Sequence, residues 1–499
     1  MVAPFLACLL CAGAAACGQG GTVAGTEQGG PGGAVQLVSL VVSPLVLAPA
    51  FSPDVHDYVV RCGAGDNQLS FDLQTPPGGK LSVATPTDTL FDAPSSMQVT
   101  LSEDDPIVFE VSGQGGGSQY WVRCLPHDFP QLSFTPHPEN GAPSPGWYLT
   151  GNATSHPGES GFAMVLDANG TPVWYQRAGA TGVMNVQRLP DGALSFISAL
   201  GPYGSDPNAQ YVIQKLEPWQ TRTVQAVSSP TDEHELQVLP NGDVMVFSYP
   251  FVEDVDLTGL GTYGASETIA DCVIQELSPA GDLVWSWRAS DHIDPVREST
   301  GPQTNQIDGL SVVDVFHLNS IDVDAQGNLL VSARDLDAVW YIDKASGSIV
   351  WKMGGAAYSK DGAQLIAVVG DPEGTFNHQH DARWTPDGHI TLFDDHTNAS
   401  GAARGVEYTM DFGAGTATMV WQFAAPVNST AMGSFRRYAG GSNVISWGIS
   451  SNPAALTEVD DGGNDLLDVS FGGDYTYRIV KVPVGSLNLD FMRVTAGHT

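Results

Sequence analysis

The sequence predicts an all-β protein, in which a six-bladed β-propeller is preceded by a small β-sandwich. Its 499 residues include 57 glycines and 33 prolines, and only 15% are charged, a composition that suits short strands and tight turns. From about residue 146 onward a unit of roughly 50 residues recurs, and about six copies are present. We find no amphipathic pattern for a helix longer than two turns. A large stacked sandwich is the alternative fold.

Each repeat contains two hairpins. The first hairpin has a tight turn between its strands, as in LPDGALSFIS at 189, LPNGDVMVFS at 239, DAQGNLLVSA at 324 and TPDGHITLFD at 385. The Asp-Gly and Asn-Gly pairs supply the positive φ that such turns require. The second hairpin ends in a tryptophan-rich or apolar strand, as in GFAMVLDANGTPVWYQ and VIQELSPAGDLVWSWR. Two hairpins make a four-stranded sheet, which is the blade of a propeller.

The chain is predicted to divide into a signal peptide (1–17), a Gly-rich disordered tether (18–34), a β-sandwich (35–126) and the propeller (127–499). The tether has almost no side chain to bury. The sandwich segment has alternating apolar residues between Gly, Pro and Asp breaks. Its phrase AFSPDVHDYVV resembles the cadherin-like modules of bacterial surface proteins, which implies a spacing or packing role.

The apolar run from Val2 to Ala16 is too short for a permanent membrane helix, and it ends in small residues before Cys17. Ala-Ala-Ala-Cys at this place resembles a bacterial lipoprotein signal, which implies that Cys17 carries the lipid. The resemblance implies an exported protein of the cell envelope, periplasmic or on the outer membrane, with a lipid anchor as its only membrane contact. A secretory signal without lipid and a buried helix are the alternatives.

Three cysteines follow the predicted signal. Cys62 (YVVRC) and Cys124 (YWVRC) end two similar strand-like segments, and export permits disulfides. We therefore expect a Cys62–Cys124 disulfide and a buried free thiol at Cys272. None of these three cysteines belongs to a C-x-x-C pair, so no structural zinc site is predicted.

The charge balance excludes one class of partner. Lysine and arginine total 20 against 55 acidic residues, which gives a formal net charge of −35. Nucleic acid is excluded, because phosphate binding needs a basic surface. Any anion site must be locally positive within an acidic protein, so a cluster of arginine and histidine indicates a functional cleft.

Histidines recur at equivalent places, each shortly before the turn of the first hairpin. Strands at equivalent places in successive blades line one channel, so these histidines are expected to converge. The segments are DEHELQVLPNGDVMVFS with His234, FHLNSIDVDAQGNLLVSARD with His317, Asn319 and Arg334, and FNHQHDARWTPDGHITLFDDH with His378, His380, Asp381, Arg383 and His396.

The SARD and QHDAR segments, with FHLNS and the strands between them, resemble the arylsulfotransferase family over roughly residues 125 to 485. The resemblance implies a six-bladed propeller that moves a sulfuryl group from an aryl sulfate to a phenol. No nucleotide donor, cofactor or metal is implied. By position, His380 corresponds to the histidine that is sulfated. The remaining residues implied by the family are His317 and Asn319 as sulfate ligands, Arg334 as the partner of sulfate oxygens, and His234 as a further active-site histidine.

These residue types suit the chemistry. A neutral imidazole is a good nucleophile, and its pKa near 6.5 also lets it leave easily. Arg334 offers a permanently charged fork for two sulfate oxygens. His317 and His234 could add charge or donate a proton to the leaving phenolate. On an extended chain, Asn319 and His317 point to one face.

Each assignment has an alternative. His380 could bridge loops, Arg334 could form an ion pair with Asp335 or Asp337, and Asn319 could close a turn. The other candidates are expected at the surface or in structural roles, namely His378, His389, His396, Arg383 and the pair Asp394–Asp395.

Two other functions stay open. A metal-dependent hydrolase could use His378 and His380, which are spaced so that a strand places both on one side, together with His234 and His317. A non-catalytic binding or adhesion protein could use the propeller as a scaffold, but it would not need four converging polar side chains.

Overall fold

The computed structural model describes residues 34–153, 159–179, 182–198, 205–397, 399, 401–425 and 428–498. Most regular structure in these residues is strand, and the longest helix there has 7 residues, so the all-β prediction is confirmed. The predicted signal peptide and the tether up to residue 33 lie outside the described residues. In the described part of the chain, no helix is long and apolar enough to cross a membrane.

The described chain divides into two compact units. The first contains the described residues up to Phe129, Leu166–Gln176 and the residues from Val484 onward. The second contains Pro130–Val165 and Arg177–Pro483. The first unit therefore includes two stretches that lie beyond the predicted boundary at residue 126.

The first unit is built from eight strands in the N-terminal part of the chain, followed by a helix at its end. These strands are β1 (Ser39–Ser43), β2 (Asp57–Arg61), β3 (Asn67–Gln74), β4 (Lys80–Ala84), β5 (Thr89–Leu90), β6 (Ser96–Leu101), β7 (Pro106–Gly113) and β8 (Gly116–Leu125). They form a sheet of order β1-β3-β6 and a sheet of order β2-β8-β7-β4-β5. Apolar side chains of both sheets form one buried cluster, which includes Leu69 and Phe71 of β3 with Phe109 of β7 and Val122 of β8.

A disulfide joins Cys62 to Cys124 in this unit, the pairing expected from the sequence, with Cα atoms 5.5 Å apart. It ties the end of β2 to β8, and the two strands run parallel with Val60 opposite Cys124. Cys272, in the second unit, is a buried free thiol.

The strands that follow are short. They are β9 (Ser133–Pro136), β10 (Trp147–Gly151), β11 (Gly161–Leu166), β12 (Pro172–Gly179), β13 (Val183–Arg188), β14 (Leu194–Ser198), β15 (Tyr211–Leu216), β16 (Trp219–Val224), β17 (Thr231–Val238), β18 (Val244–Ser248), β19 (Phe251–Val255), β20 (Glu267–Ala270), β21 (Val273–Leu277), β22 (Leu283–Arg288), β23 (Gln303–Ile307) and β24 (Leu310–Asp314).

The remaining strands are β25 (Leu318–Val323), β26 (Leu329–Ala333), β27 (Ala338–Ile342), β28 (Ile349–Gly354), β29 (Gln364–Val369), β30 (His380–Trp384), β31 (Ile390–Asp394), β32 (Arg404–Asp411), β33 (Thr416–Ala424), β34 (Ser434–Tyr438), β35 (Ser442–Ser446), β36 (Leu456–Val459), β37 (Asp465–Ser470) and β38 (Val480–Val482). The helices are α1 (Ala289–His292), α2 (Pro295–Glu298) and α3 (Leu489–Thr495), with one turn of 3-10 helix at Arg334–Leu336.

Consecutive antiparallel strands form repeated sheets in the second unit. Two are four-stranded, with orders β13-β14-β15-β16 and β17-β18-β21-β22. Two more quartets, β25 to β28 and β30 to β33, are joined through β29 into one nine-stranded sheet. Strand β9 adds to the edge of β34 to β37, and β38 pairs with β10. A further sheet, β19-β20-β24-β23, was not expected from the repeat.

The predicted tight turns are present between the first two strands of four strand groups, those that begin with β13, β17, β25 and β30. In each, the glycine amide donates to the carbonyl three residues earlier, for example Gly192 to Leu189 and Gly388 to Thr385. All four glycines have a positive φ, between 84° at Gly192 and 88° at Gly242. A side chain would be strained there, which explains why the repeat keeps Gly at this position.

Apolar layers between successive sheets form the core of the second unit. One layer joins Met245 and Phe247 of β18 to Val331 and Trp340 of the next sheet. Similar clusters lie on either side of it along the chain. The first strands of successive sheets, β13, β17, β25, β30 and β34, lie next to one another. Side chains from equivalent positions of these strands therefore lie close together.

Candidate functional site

Three histidines meet where the first strands of three successive sheets begin. His234 lies in β17, His317 immediately precedes β25, and His380 is the first residue of β30. The ring centroids of His234 and His317 are 4.8 Å apart, and those of His317 and His380 are 6.1 Å apart. His234 and His317 keep 9% and 12% of their side chains exposed, whereas His380 keeps 1%. His380 is thus the most deeply buried of the three rings.

Each of the three rings is held by a carboxylate at Nδ1. His234 contacts Asp232 at 2.6 Å and His317 contacts Asp314 at 2.6 Å. His380 contacts Asp395 at 2.7 Å. A carboxylate at one ring nitrogen fixes the orientation of the ring and the position of its proton, which leaves Nε2 for chemistry.

The tautomer of His380 follows from its two neighbours. The amide N–H of Met432 donates to Nε2 at 3.3 Å, so Nε2 carries the lone pair. The ring proton is then on Nδ1, where it donates to Asp395. Burial, followed by the charges of Arg334 and His234, lowers the pKa of His380 well below its usual value. At neutral pH this imidazole is uncharged and has a nucleophilic Nε2.

The other two rings have different charge states. Burial and the nearby His234 hold the pKa of His317 well below its usual value, so this ring is neutral. Burial opposes protonation of His234, but the charge of Asp232 and the hydrogen bond to it raise the pKa of His234 above its ordinary value. His234 is therefore the histidine best able to carry a proton at neutral pH.

Arg334 provides a buried positive charge beside the histidines. Its side chain is 3% exposed, and Nη1 donates to Asp335 at 2.6 Å, so the contact with Asp335 that the alternative interpretation expected is present. Nη2 donates to the carbonyl of Thr430 at 3.0 Å. Thr430 lies two residues before Met432, whose amide contacts His380, so one short segment contacts both Arg334 and the nucleophilic nitrogen.

The carboxyl groups around Arg334 hold protons more tightly than usual. Burial raises the pKa of Asp314 to about 7, although Arg334 opposes the shift. Burial and the charge of Asp314 raise the pKa of Asp335 to about 8. Below these values the two carboxyls are mostly neutral, and the charge of Arg334 is then available to an incoming anion.

Asn319 does not lie as the sequence predicted. The prediction assumed an extended chain from His317, but His317 has a φ of 51°, and the pairing of β25 with β26 is irregular between Leu318 and Ser320. The side chain of Asn319 is fully buried and donates to the carbonyl of Gln379 at 2.8 Å. Its amide group thus fastens β25 to the residue before His380.

The remaining candidate side chains serve other contacts. His378 is buried, with Nδ1 3.1 Å from Asp337, and so faces a different carboxylate from His380. His396 is also buried, and its Nδ1 lies 3.0 Å from the carbonyl of Ala402. His389 contacts Glu407 at 2.7 Å near the opposite end of the hairpin.

A buried network of charged side chains lies between the first strands of the sheets, farther along these strands than the histidines. Arg383 donates to Asp381 at 2.9 Å and also contacts Glu235. Arg478 donates to Glu235 at 3.3 Å and lies 3.1 Å from Asp381. Tyr477 donates to the carbonyl of Asn319 at 2.9 Å. This network makes Arg383 structural, and it couples the strands that carry the histidines.

Sequence reasoning missed the three carboxylates that hold the rings. Asp232 precedes its histidine by two residues and Asp314 by three, whereas Asp395 follows His380 by fifteen. We expected Asp394–Asp395 only to end a strand. Strand β31 does end at Asp394, which pairs with Arg404 at 2.8 Å, but Asp395 contacts His380. The paired acids at the end of a strand were the available signal.

Among the described residues, three groups place ligand atoms close enough to hold a metal ion, and each contains a single histidine. They are Asp232–Glu233–His234, Asp314–His317–Asp335 and Asp387–His389–Glu407. The alternative hydrolase required His378 and His380 on one side of a strand. The two rings instead face different carboxylates, so this pair does not define a metal centre.

The sheet-rich second unit thus brings three histidines, each in contact with an aspartate, beside a buried arginine. The family model described as arylsulfotransferase (ASST) matches residues 204–472, which include all four side chains. The chain therefore belongs to the arylsulfotransferase family. No curated protein matches the sequence significantly.

Solved structures show weaker likeness. A protein of unknown function from Bacteroides caccae has a TM-score of 0.40 at 11% identity, covering 68% of this chain and 99% of that chain. A putative 6-phosphogluconolactonase from Bacteroides fragilis has a TM-score of 0.37 at 12% identity, covering 68% and 98%. A quinonprotein alcohol dehydrogenase-like protein from Bacteroides thetaiotaomicron has a TM-score of 0.34 at 11% identity, covering 87% and 98%.

Proposed function

We propose that the protein is an aryl sulfate sulfotransferase that carries the sulfuryl group on Nε2 of His380. The observation that carries this proposal is the fixed tautomer of His380, with Nδ1 on Asp395 and the lone pair on Nε2. The substrates are a phenolic sulfate ester as donor and a phenol as acceptor, in two successive displacements. No cofactor takes part.

In the first displacement, the Nε2 lone pair attacks the sulfur of the aryl sulfate. The N–S bond forms while the bond from sulfur to the phenolic oxygen breaks, and its electron pair leaves with the phenolate. Protonated His234 gives its proton to that oxygen, a role that suits its raised pKa. The Met432 amide must give up its bond to Nε2 before the attack.

In the second displacement, neutral His234 takes the proton of the acceptor phenol. The phenolic oxygen attacks sulfur, the N–S bond breaks, and its electron pair returns to Nε2. The two steps use one set of groups in opposite directions, so a single proton site serves both half-reactions.

Asp395 and Arg334 stabilise the charges that develop. The imidazole gains positive charge as the N–S bond forms, and the Asp395 carboxyl group, whose pKa is raised well above its ordinary value by burial, keeps its hydrogen bond to the Nδ1 proton. Arg334 binds the sulfuryl oxygens. A substrate oxygen would take the place of the Thr430 carbonyl as the acceptor for Nη2 of Arg334. Asn319 acts by fastening β25 to Gln379 rather than by touching sulfate.

For the architecture, we propose a six-bladed propeller. The sheets that begin with β13, β17, β25, β30 and β34 are five blades, and β10, β11 and β38 belong to the sixth. Apolar layers between successive sheets and the contacts between first strands support this proposal. The two sheets of the first unit then form the small sandwich.

For the location, we propose export and lipid attachment at Cys17, which rests on the sequence of residues 1–17 alone. The Cys62–Cys124 disulfide suits an oxidising compartment.

An assay for the release of a coloured phenol from its sulfate ester tests the transfer, with and without a second phenol as acceptor. We expect release to depend strongly on the second phenol and to be lost in His380→Ala. His127→Ala is the matched control, because the His127 side chain is 51% exposed and lies in the first unit. Equal release without an acceptor would indicate a sulfatase, and no release would favour a binding protein.

A further inference from the structure

A cavity lies in the second unit, at the turn end of the first strands, and has a volume of about 290 Å³. Arg383, Trp384 and Thr385, where β30 ends, line it, whereas His380 begins that strand. The first cavity-lining residue of this strand, Arg383, follows His380 by three residues, at most about 10 Å along an extended chain, and none of the three histidines lines the cavity. This cavity is therefore distinct from the sulfotransfer site.

The lining is unusually cationic for this chain. Five of the 20 lysine and arginine residues line it, namely Arg188, Arg383, Arg436, Arg437 and Lys481. Asp322 is the one carboxylate among the described lining residues. An acidic protein that places a quarter of its cations around one cavity concentrates positive potential there.

Most of the carboxylates that pair with these cations do not line the cavity. Asp381 and Glu458, which pair with Arg436 and Lys481, are both fully buried. The cations line the cavity and these carboxylates do not, so an anion in the cavity would contact the N–H groups of the cations.

Arg436 keeps hydrogen-bonding capacity toward the cavity. It donates Nε and Nη2 to Asp381 at 3.0 and 2.9 Å, and Nη1 has no acceptor within the described part of the chain. A quarter of its side chain, 25%, is exposed. Arg436 thus offers a charged donor that the fold has not used.

Tyr438 offers a second donor. Its Oη accepts from the amide of Lys481 at 2.8 Å, and its O–H donates to no described protein group. Burial raises the pKa of this phenol, so the proton stays in place. Arg436 and Tyr438 are two residues apart in β34, which places both on one face of the strand.

Asp322 does not cancel these donors. Its Oδ1 accepts from the amide of Val323 at 3.1 Å and its Oδ2 from the amide of Trp384 at 2.8 Å. Burial raises the pKa of Asp322, although the charges of Arg383 and Arg436 oppose the shift. Both carboxylate oxygens are thus occupied by the backbone.

We propose that this cavity binds a tetrahedral oxyanion head group, a phosphate or a sulfate, through Nη1 of Arg436 and the hydroxyl of Tyr438. The same chemistry comes from a free inorganic ion or from a small organic ester. The volume is near the lower limit for small-molecule sites, and Pro386, Val480 and Val482 add apolar wall, which favours the ester.

Calorimetric titration with phenyl phosphate and with inorganic phosphate tests the proposal. The titrations use an Arg334→Ala background, which weakens anion binding at the histidine site. We expect phenyl phosphate to bind, and Arg436→Gln and Tyr438→Phe each to weaken binding about tenfold or more, because each removes one donor to a charged group. Arg222→Gln, which removes an exposed arginine of β16, is the matched control and should bind as the background does.

The two probes distinguish the sources. Tighter binding of phenyl phosphate assigns the cavity to an organic ester, and equal binding assigns it to a free oxyanion. The proposal is overturned if neither probe binds, or if neither variant changes the affinity. Tyr438→Phe keeps the aromatic ring, so the test stands even if Arg436→Gln fails to fold. None of these outcomes depends on sulfotransfer activity.

Discussion

At the scale of single residues, the site consists of histidine rings whose chemistry is set by what lies at Nδ1. Three rings each contact one buried carboxylate, yet their pKa values move in different directions. His380 and His317 are pushed toward the neutral form by burial, while Asp232 draws His234 toward the charged form. One neutral nucleophile and one proton donor, with the neutral His317 between them, suit transfer between two phenols.

Asp395 is predicted to be a positioning residue for His380. Asp395→Asn replaces the carboxyl oxygen that accepts the Nδ1 proton with an amide that can present its NH2 group there, which favours the wrong tautomer of His380, so we expect kcat to fall on the order of 10²- to 10⁴-fold. Stopped-flow release of a coloured phenol measures this loss. Asp387→Asn, at a turn position that is 70% exposed, is the control. A variant at Asp395 with wild-type kcat would show that Asp395 only ends the strand.

The raised carboxyl pKa values predict how binding depends on pH. Asp314 and Asp335 are mostly neutral below about 7 and 8 and become negatively charged above those values. Because added negative charge repels an aryl sulfate, we expect KM for the donor to rise as the pH increases from 6 to 9, with the rise beginning at about 7. Initial rates across this range measure it. A KM that stays flat or falls would contradict the assigned protonation states.

At the scale of elements, the sequence predicted the hairpin turns and the strands beside them well, because local chemistry decides both. Gly192, Gly242, Gly327 and Gly388 all adopt the positive φ that their turn pattern requires. The sheet built from Phe251–Val255, Glu267–Ala270, Gln303–Ile307 and Leu310–Asp314 was not predicted. Its central pairing is parallel and joins Ile269 to Val313 across 43 intervening residues, so no local pattern marks it.

Gly388 offers a clean test of the turn. An added Cβ would meet nothing within 4 Å, so Gly388→Ala changes only the strain of a φ of 84°. We expect the free energy of unfolding to fall by about 1–2 kcal/mol. Gly413→Ala is the control, because Gly413 lacks a positive φ and its Cβ would make an ordinary contact at 3.4 Å. Denaturant unfolding of both variants measures the difference. Equal stability of the two would show that the glycine is not needed for its conformation.

At the scale of the whole molecule, the repeat explains why four distant side chains could be predicted to meet. Equivalent places in successive sheets come together, so His234, His317 and His380 could be found from their positions before the turns. Their carboxylate partners could not, because Asp232, Asp314 and Asp395 occupy different spacings and come from different strands. The left-handed conformation of His317, with a φ of 51°, redirects Asn319 and was likewise not predicted.

The distribution of charge is a second property of the whole molecule. A chain with a net charge of −35 pairs the buried Arg383 and Arg478 with Glu235 and Asp381 between its first strands. Buried charges of this kind need partners of opposite sign, and loss of one partner leaves the other as an uncompensated buried charge. The network separates the histidine site at one end of the strands from the cationic cavity at the other.

Intact-mass measurement after rapid mixing with an aryl sulfate, without acceptor, tests the covalent route most directly. We predict that the protein gains the mass of one sulfuryl group, that the peptide containing His380 carries it, and that a phenol acceptor removes it. His127→Ala should form the same adduct, and His380→Ala should form none. Formation of the sulfated acceptor without any adduct on the protein during turnover would contradict the account.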